Sequence, residues 1–374
     1  MAAPRDLQDL RETIEAIDRD LLTLLRRRMD QVDAIADAKI QAASPFRDRE
    51  REDRVFQRVR QIARSLDLDS HRVEQLYRQI MEMSIARQQE HLRSKAEAPL
   101  RVAYQGVEGS YSHLAAQGRY GGRPGGALLT GFESFHQAAE AVRRGEADFA
   151  LLPVENSTAG SILQTYDELA SGDLVITGEV IRAIEHCLLA LPGARFDDLR
   201  RVLSHPQGLL QCEEFLRRHP QLEPRAEFDT AGAARKVRQG GDPTVAAIAS
   251  ESAAKVYGLE IMERGIQTAA GNATRFFEVG IEAALCPPDV DCKTSLQLVL
   301  SHTPGALGKV LTTLAEHNVN VCKLESRPRA GTPWEYRFYL DLEGHGDHER
   351  VAAAIAAVRP LTVEMARLGT YPKG

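Results

Sequence analysis

The chain has 374 residues, which is long for a single ordinary domain and suggests two or three. Charged residues make up 27% and hydrophobic residues 43%, and the mean hydropathy is −0.31. These values are typical of a globular protein and exclude a disordered or fibrous one. The formal charge of −6 provides no basic field, so we expect neither nucleic acid nor a membrane surface as a partner.

The beginning of the chain lacks the residues that interrupt helices. None of the 28 glycines precedes Gly106, and only Pro4 and Pro45 precede Pro99 among the prolines. Since helices exclude these two residue types most strongly, residues 1–95 are predicted to be an all-helical domain.

Three helices are predicted in this domain, over residues 6–40, 48–65 and 69–93, with a break at Ser44 and Pro45. In the first helix, apolar residues alternate in steps of three and four, as in a coiled coil. We call these residues the α1 seam: Leu7, Leu10, Ile14, Ile17, Leu21 and Leu24. A rod of this length cannot bury its own seam, so partner helices or a partner chain are required.

The N-terminus has no apolar signal core, and no apolar run of 18 residues follows, which indicates a cytoplasmic location. Five scattered cysteines without CxxC spacing favour reduced structural thiols over a metal site. A bridge between Cys286 and Cys292 is the alternative, although Pro287 and Pro288 make their segment look like a linker.

From Arg101 onward, short apolar runs alternate with helical patterns. This order predicts a central bilobal α/β domain over residues 100–282, with a mainly parallel sheet. From residue 293 to 374 the pattern becomes β-α-β-β-α-β, a ferredoxin-like α+β arrangement. This last domain has no acid/base cluster, so we expect a binding or regulatory domain.

Arg28 is the next residue on the helical seam after Leu24. A buried, unpaired cation is costly there, so Arg28 is either a solvated or register-setting arginine or part of a site. Other polar residues share helix faces at i, i+3 and i+4, and together with Arg28 they resemble the active-site set of the all-helical chorismate mutase domain. The matching residues are Arg11, Arg28, Lys39, Asp48, Arg51, Glu52, Ser84 and Gln88.

This resemblance implies a role for each residue. Arg11 and Arg28 would hold the two carboxylates of chorismate, because guanidinium groups bind carboxylates in a bidentate manner. Lys39 and Gln88 would face the ether oxygen and act as the catalytic pair. The remaining residues would bind the hydroxyl side or complete the pocket: Asp48, Arg51, Glu52 and Ser84. The rearrangement itself needs no proton transfer, only a compact conformer and stabilised charge.

Arg11 and Lys39 are about 42 Å apart along one straight helix, too far for one small substrate. If all eight residues serve one site, Arg11 comes from a second chain. The sequence therefore predicts a homodimer with intertwined mutase domains and two shared sites.

Polar clusters in the central domain follow or precede predicted strands, where open α/β sheets place ligands. The clusters are Gly106-x-x-Gly109-Ser110-Tyr111-Ser112-His113, Pro153-Val-Glu155-Asn156-Ser157-Thr158-Ala-Gly160, Ser204-His205-Pro206-Gln207 and Ala273-Thr274-Arg275-Phe276. No GxGxxG and no nucleophile elbow occurs, which argues against a dinucleotide site and a serine hydrolase. His205 is equally compatible with a catalyst and with a hydrogen-bonded turn.

In this order, the clusters resemble prephenate dehydratase over residues 100–280. The resemblance implies that Thr274 is catalytic and donates a hydrogen bond to the hydroxyl that leaves the ring. Arg275 is either a carboxylate partner or a structural cation. Glu155, Asn156 and Ser157 are expected to line the same cleft.

Two motifs of the last domain resemble the ligand-contacting motifs of a phenylalanine-sensing ACT domain. One contains Gly305, Ala306 and Leu307 at a helix start, and the other contains Glu325, Ser326, Arg327 and Pro328 at a strand end. The glycine allows a close backbone approach, and the helix start offers N–H groups to a carboxylate. The resemblance implies L-phenylalanine as effector, bound between paired subunits.

Nearly the whole chain resembles bifunctional chorismate mutase–prephenate dehydratase. The implied activities are rearrangement of chorismate to prephenate and conversion of prephenate to phenylpyruvate, in phenylalanine synthesis, with no metal, nucleotide or redox cofactor. The alternatives are an enzyme with one live activity, a mutase coupled to prephenate dehydrogenase and a non-enzymatic small-molecule sensor. The missing dinucleotide motif disfavours the dehydrogenase, and the mutase set together with Thr274 disfavours the sensor.

Overall fold

The computed structural model of the chain describes residues 7–41, 49–95, 99–123, 125–283, 286, 290–329 and 335–374. It divides into two compact units, Met1–Ala98 and Pro99–Gly374. No helix in the described part of the chain is long and apolar enough to cross a bilayer.

The first unit consists of three helices, which are α1 Leu7–Gln41, α2 Arg49–Ser65 and α3 Ser70–Lys95. They confirm the predicted elements to within about two residues. The predicted break at Ser44 and Pro45 and the linker at 96–98 lie outside the described residues. The side chains buried in this unit come from all three helices: Val32, Phe56, Val59, Ala63, Glu74 and Ser84.

The α1 seam is uncovered in a single chain. Its six side chains are between 41% and 61% exposed, Leu10 being the least exposed and Leu7 the most. The core of the three helices lies further along, where α1 contributes Val32. Contiguous exposed apolar residues of this size mark an interaction surface.

The second unit begins with a six-stranded sheet in the order β2-β1-β3-β11-β5, with β4 paired to β3. Its strands are β1 Leu100–Gln105, β2 Ala127–Phe132, β3 Phe149–Asn156, β4 Gly160–Ser161, β5 Val175–Ala183 and β11 Ala273–Gly280. The helices of this lobe are α4 Tyr111–Tyr120, α5 Phe135–Arg143 and α6 Leu163–Leu169.

The second lobe is built on a five-stranded sheet in the order β10-β6-β9-β7-β8. Its strands are β6 Cys187–Ala190, β7 Arg201–Ser204, β8 Glu223–Ala226, β9 Val245–Ala249 and β10 Glu260–Arg264. Its helices are α7 Pro206–Gln211, α8 Glu213–Arg218, α9 Thr230–Gly240 and α10 Glu251–Tyr257.

Both sheets are mixed, so the expected mainly parallel sheet was wrong. β1 pairs in parallel with β2 and β3, but β11 runs antiparallel to both β3 and β5. In the second lobe, β6 runs antiparallel to β9 and β10. The reason is topological, because the chain leaves the first lobe along β5 and returns along β11, which reverses the strand direction.

The last domain has four strands in the order β13-β14-β12-β15 and two helices. The elements are β12 Cys292–Val299, α11 Ala306–Glu316, β13 Val321–Pro328, β14 Tyr336–Glu343, α12 Glu349–Val358 and β15 Glu364–Pro372. This confirms the predicted β-α-β-β-α-β order. Tyr339, Leu368 and Tyr371 of this sheet share one buried cluster with Ile176 and Phe277 of the first lobe.

Cys286 and Cys292 form a disulfide, so the expectation that every thiol is reduced was wrong for this pair. The two residues are six positions apart in the segment that connects β11 to β12. Cys187, Cys212 and Cys322 are free, as expected.

Candidate active sites

In the helical unit, Arg28 turns away from solvent and onto α3. Its guanidinium group donates hydrogen bonds to the Ser84 hydroxyl and, at 3.4 Å, to the Ile80 carbonyl. Burial lowers the pKa of Arg28 from its usual value, although not enough to deprotonate an arginine at neutral pH. The structure thus brings together two of the eight predicted mutase residues and presents a fixed cation between α1 and α3.

The other six mutase residues stay predictions. Arg11 lies exposed on α1, about 26 Å from Arg28 at the rise of an α-helix. Four residues lie on the described helices, but their side chains are outside the description: Lys39, Arg51, Glu52 and Gln88. Asp48 lies outside the described residues.

A cleft of about 640 Å³ separates the two lobes of the second unit. The first lobe contributes Asn156 and Thr274 from neighbouring strands, and the second contributes His186, His205 and Gln211. The rest of the lining includes Gly106, Ser110, Tyr111, Ser112, Ser134, Phe135, Gly160, Ser161, Gln207, Phe228 and Phe276. The four polar clusters singled out in the sequence therefore each contribute to one cleft.

Thr274 and Asn156 lie directly opposite each other on β11 and β3. The amide nitrogen Nδ2 of Asn156 donates to Thr274 Oγ1 at 3.0 Å and to Asn272 Oδ1 at 2.7 Å. Both Asn156 and Thr274 are 8% exposed. Strand pairing therefore fixes the position of the Thr274 hydroxyl at the wall of the cleft.

The orientation of the Asn156 amide is determined by backbone groups. Its Oδ1 accepts from Thr158 N at 3.0 Å and Ala159 N at 2.9 Å, and a backbone N–H can only donate. The NH₂ end must therefore face Thr274, whose oxygen acts as the acceptor. The Thr274 hydroxyl hydrogen remains available to a bound ligand, which is what the expected role of this residue requires.

A hydrogen-bonded chain extends from Asn156 into the second lobe. Gln211 Nε2 donates to Asn156 Oδ1 at 3.2 Å, and Gln211 Oε1 lies 2.8 Å from His186 Nε2. Because Gln211 presents its oxygen, His186 carries a hydrogen on Nε2. Burial lowers the pKa of His186 and favours the neutral ring, whose Nδ1 lies 3.0 Å from the Tyr111 hydroxyl.

Sequence reasoning missed His186 and Gln211. His186 immediately precedes the apolar run Cys187–Ala190, so it occupies a strand end like the residues that were singled out. Gln211 ends the short helix α7, which follows the Ser204-His205 cluster. His205 itself accepts a hydrogen bond from Gln207 N at 3.1 Å, which favours the turn interpretation over the catalytic one.

The described residues that line the cleft include no lysine and no arginine. Three helices of nine or more residues begin at the cleft, and their N-caps are Ser110, Ser134 and Asp229. Free N–H groups in the first turn of a helix attract anions. The cleft therefore offers N–H and hydroxyl groups to an anionic ligand.

The structure does not bring Arg275 and Glu155 to this cleft, which corrects their expected placement. They form the next cross-strand pair after Thr274 and Asn156, so their side chains lie on the opposite face of the sheet. Arg275 is buried there, with Nη1 2.7 Å from Asp341 Oδ2 and 3.2 Å from Glu179 Oε2. This favours the structural-cation alternative.

Ser157 does not line the cleft either. Its hydroxyl donates to Gly271 O at 3.3 Å and accepts from Ala273 N at 2.9 Å. These bonds fasten the turn after β3 to the start of β11.

In the last domain, the first effector motif lines a pocket of about 510 Å³. Gly305 adopts a left-handed φ of +80° and forms the N-cap of α11, with Ala306 and Leu307 beside it. Tyr336 and Phe338 of β14 line the same pocket. Since Gly305 has no side chain to cap the helix, N–H groups at the start of α11 are available to a carboxylate.

The second effector motif is not part of this pocket. Glu325, Ser326, Arg327 and Pro328 lie on the edge strand β13, and none of them lines the pocket at Gly305. A single chain therefore does not bring the two motifs together.

Comparison with known proteins gives the same three parts in the same order. A family model for chorismate mutase type II matches residues 10–89, one for prephenate dehydratase matches 102–284 and one for the ACT domain matches 294–360. The bifunctional chorismate mutase/prephenate dehydratase of Enterobacter agglomerans is 36% identical over 368 residues, covering 97% of this chain and 95% of that protein.

Solved structures resemble about three quarters of the chain. The prephenate dehydratase of Arthrobacter aurescens in complex with L-Phe is 30% identical with a TM-score of 0.67, covering 73% of this chain and 90% of that one. GqqA, described as a novel type of quorum quenching acylase, is 36% identical with a TM-score of 0.66, covering 73% and 98%.

The fold and the sites define an enzyme with two catalytic domains followed by an ACT domain. The chain belongs to the bifunctional chorismate mutase/prephenate dehydratase family. It rearranges chorismate to prephenate in its helical domain, and it converts prephenate to phenylpyruvate in its central domain.

Proposed function

We propose that Thr274 is the residue that assists departure of the prephenate hydroxyl. In this reaction the ring carbon–oxygen bond and the bond to the ring carboxylate both break. The electrons of the carboxylate bond enter the ring, carbon dioxide leaves, and the hydroxyl takes up a proton and leaves as water. Aromatisation drives the step, so a well-placed hydrogen-bond donor is sufficient.

The observation that carries this proposal is the Asn156 amide, which donates to Thr274 Oγ1 and so leaves the Thr274 hydrogen for the substrate. The N–H groups at the starts of α4, α5 and α9 would meet the carboxylates. His186 and Gln211 would hold Asn156 in place from the second lobe.

Thr274→Ala should reduce prephenate turnover by at least about a hundredfold, a typical loss for a group that stabilises the transition state. Thr274→Ser retains the hydroxyl and should retain most of the activity. Chorismate loss, measured on the same samples, should be unchanged in both variants because that reaction uses the helical domain. Near wild-type prephenate turnover in Thr274→Ala would show that the assignment is wrong.

For the mutase reaction, the proposal uses Arg28 and Ser84 as the described part of the site. Arg28 would bind one carboxylate, and Lys39 and Gln88 would face the ether oxygen. Arg11 would reach the site from a partner chain, and the uncovered α1 seam supports this arrangement.

We also propose that L-phenylalanine inhibits the enzyme through the ACT domain. Its carboxylate would meet the N-terminus of α11, and its ring would lie against Tyr336 and Phe338. Because Glu325–Pro328 lies on a separate strand, a second subunit would supply the other half of the site.

Isothermal titration of the full-length protein should show phenylalanine binding, with the same ligand inhibiting prephenate turnover. Gly305→Val introduces a β-branched side chain at a φ of +80° and should weaken binding without affecting chorismate turnover. An absence of heat with the wild-type protein would contradict the effector proposal while leaving the two catalytic assignments intact.

A further inference from the structure

The strands that carry the catalytic groups have a charged second face. Glu155 precedes Asn156 by one residue, and Arg275 follows Thr274 by one residue. Because side chains alternate along a strand, both point away from the cleft and towards the ACT domain. Glu155 Oε1 lies 3.2 Å from Arg275 Nε. The same strand residues therefore connect the cleft with the domain behind it.

Lys323, on the edge strand β13 of the ACT domain, contacts this face. Its ammonium group lies 2.6 Å from Glu155 Oε2 and donates to Ser161 Oγ at 2.6 Å. The Lys323 side chain is 18% exposed, so solvent screens these contacts only partly. Although burial opposes it, the hydrogen bond from Lys323 helps to hold the pKa of Glu155 below its usual value.

The two partners of Lys323 are opposite each other in the β3–β4 hairpin. Glu155 pairs with Ser161, and Asn156 pairs with Gly160. The turn of this hairpin provides the backbone N–H groups that orient the Asn156 amide. One ammonium group therefore links both strands of the hairpin that orients the Thr274 hydroxyl.

Ser161 also lines the cleft. Its hydroxyl lies on the face of the hairpin that carries Glu155, because the two residues form a cross-strand pair. Lys323 therefore holds a residue at the wall of the cleft without entering the cleft itself.

We propose that Lys323 is a positioning residue for prephenate dehydration, through which the ACT domain holds the β3–β4 hairpin in its catalytic geometry. This inference rests on the proposed function of Thr274 and of the ACT domain. Glu325, in the second effector motif, lies 3.7 Å from the same ammonium group. A ligand that moves the Glu325 carboxylate changes the negative charge close to the Lys323 ammonium group. This change would connect effector binding to the β3–β4 hairpin.

A second ion pair stabilises the same domain contact. Arg327, also in the effector motif, donates to both carboxylate oxygens of Asp167 on α6, at 2.8 and 2.9 Å. Lys323, Glu325 and Arg327 alternate along β13, so they share one face. The face of β13 that carries half of the effector motif is therefore the face that contacts the dehydratase domain.

The test compares Lys323→Met with Lys323→Arg and with Lys373→Met in the full-length enzyme. Lys373 belongs to the same domain, is 50% exposed and approaches only Glu343, at 3.8 Å, among the described ion pairs. In Lys323→Met, kcat/KM for prephenate should fall about tenfold, mostly through kcat, because misplaced groups reduce turnover more than binding. Lys323→Arg should recover most of the loss, and Lys373→Met should match the wild type.

Two further readouts accompany the kinetics. Amide hydrogen exchange in the segment 155–161 should be faster in Lys323→Met than in Lys373→Met, because a lost tether increases local opening. Phenylalanine should bind Lys323→Met with a Kd close to that of the wild type, but it should inhibit prephenate turnover less.

Wild-type kcat/KM in Lys323→Met would overturn the inference, and so would wild-type exchange in segment 155–161. The exchange measurement needs no substrate, so it tests whether Lys323 holds the hairpin even if Thr274 is wrongly assigned. A failure of Thr274→Ala to reduce turnover would overturn the proposed function instead.

Discussion

The Thr274 hydroxyl is oriented by groups from both lobes. Asn156 donates to it from the first lobe, while Gln211 and His186 in the second lobe continue the hydrogen-bonded chain. A change in the protonation of His186 therefore reaches the Thr274 oxygen through two intervening side chains. Since His186 is 2% exposed, its ionisation also affects stability.

We predict that the protein loses stability as the pH falls below about 6.5, the usual pKa of histidine. Burial lowers the pKa of His186 in the folded state, so below pH 6.5 the unfolded chain binds more protons than the native protein. The stability is fully present above that pH and declines as the pH falls through the lowered pKa. Calorimetry from pH 7.5 to 5.5 should show a smaller decline for His186→Gln than for the wild type.

His71→Gln, a change at an exposed position on α3, provides the control and should follow the wild type. His113 and His205 also have pKa values lowered by burial, so some decline should persist in His186→Gln. An identical decline in His186→Gln and the wild type would contradict the prediction.

At this scale, the sequence placed Thr274 at the cleft, where the structure has it, but left Arg275 open between a carboxylate partner and a structural cation. The two are consecutive, and a motif read along the chain does not show which of two neighbours faces a ligand. Side chains alternate along a strand, so one of the two faces the cleft and the other faces away. Which of them faces the cleft depends on the pairing of β11 with β3, which joins residues more than a hundred positions apart. His186 was missed because its partners, Tyr111 and Gln211, are distant in sequence.

Among the secondary-structure elements, α11 has a residue that helices disfavour. Gly308 is its third residue, in the first turn, and no packed neighbour lies within 4 Å of the position that a Cβ would occupy. The residue lines the pocket that begins at Gly305. Neither close packing nor a positive φ requires glycine here.

We predict that Gly308→Ala stabilises the ACT domain by about 0.5–1 kcal/mol, the usual gain for this change inside a helix. The midpoint of thermal or urea unfolding should rise accordingly. Gly305→Ala, three residues earlier, is the matched control and should destabilise, because its φ is +80°. Equal effects of the two changes would contradict the prediction.

Helices were the elements that the sequence predicted best, since the absence of glycine and the α1 seam are local signals. Strand direction was predicted less well. β11 is antiparallel to its neighbours because the whole second lobe lies between β5 and β11 in the chain. No local pattern in residues 273–280 contains that information.

For the whole molecule, the mutase proposal requires a dimer, with Arg11 supplied in trans. Mixing Arg11→Ala subunits with Lys39→Ala subunits should restore about a quarter of the wild-type chorismate turnover after random exchange. Half of the dimers are then mixed, and each mixed dimer has one intact site in a symmetric arrangement.

Mixing Arg28→Ala with Lys39→Ala is the matched control. Arg28 and Lys39 are expected to serve the same site from the same chain, so no mixed dimer has an intact site. Turnover should stay at the level of the single variants. Recovery in both mixtures, or in neither, would contradict the shared site.

The position of β11 also determines when the central domain becomes complete on the ribosome. The first sheet needs β11 between β3 and β5, whereas the second lobe, residues 184–272, is continuous in the chain. The ends of that lobe meet where Ile184 N donates to Asn272 O at 2.8 Å. At a translation rate of about 5–20 residues per second, β11 is synthesised roughly 5–20 s after β5, and until then the first sheet lacks this inner strand. The lobe that is second in the chain can therefore be the first to fold, and Thr274 is the last polar residue of the cleft to be synthesised.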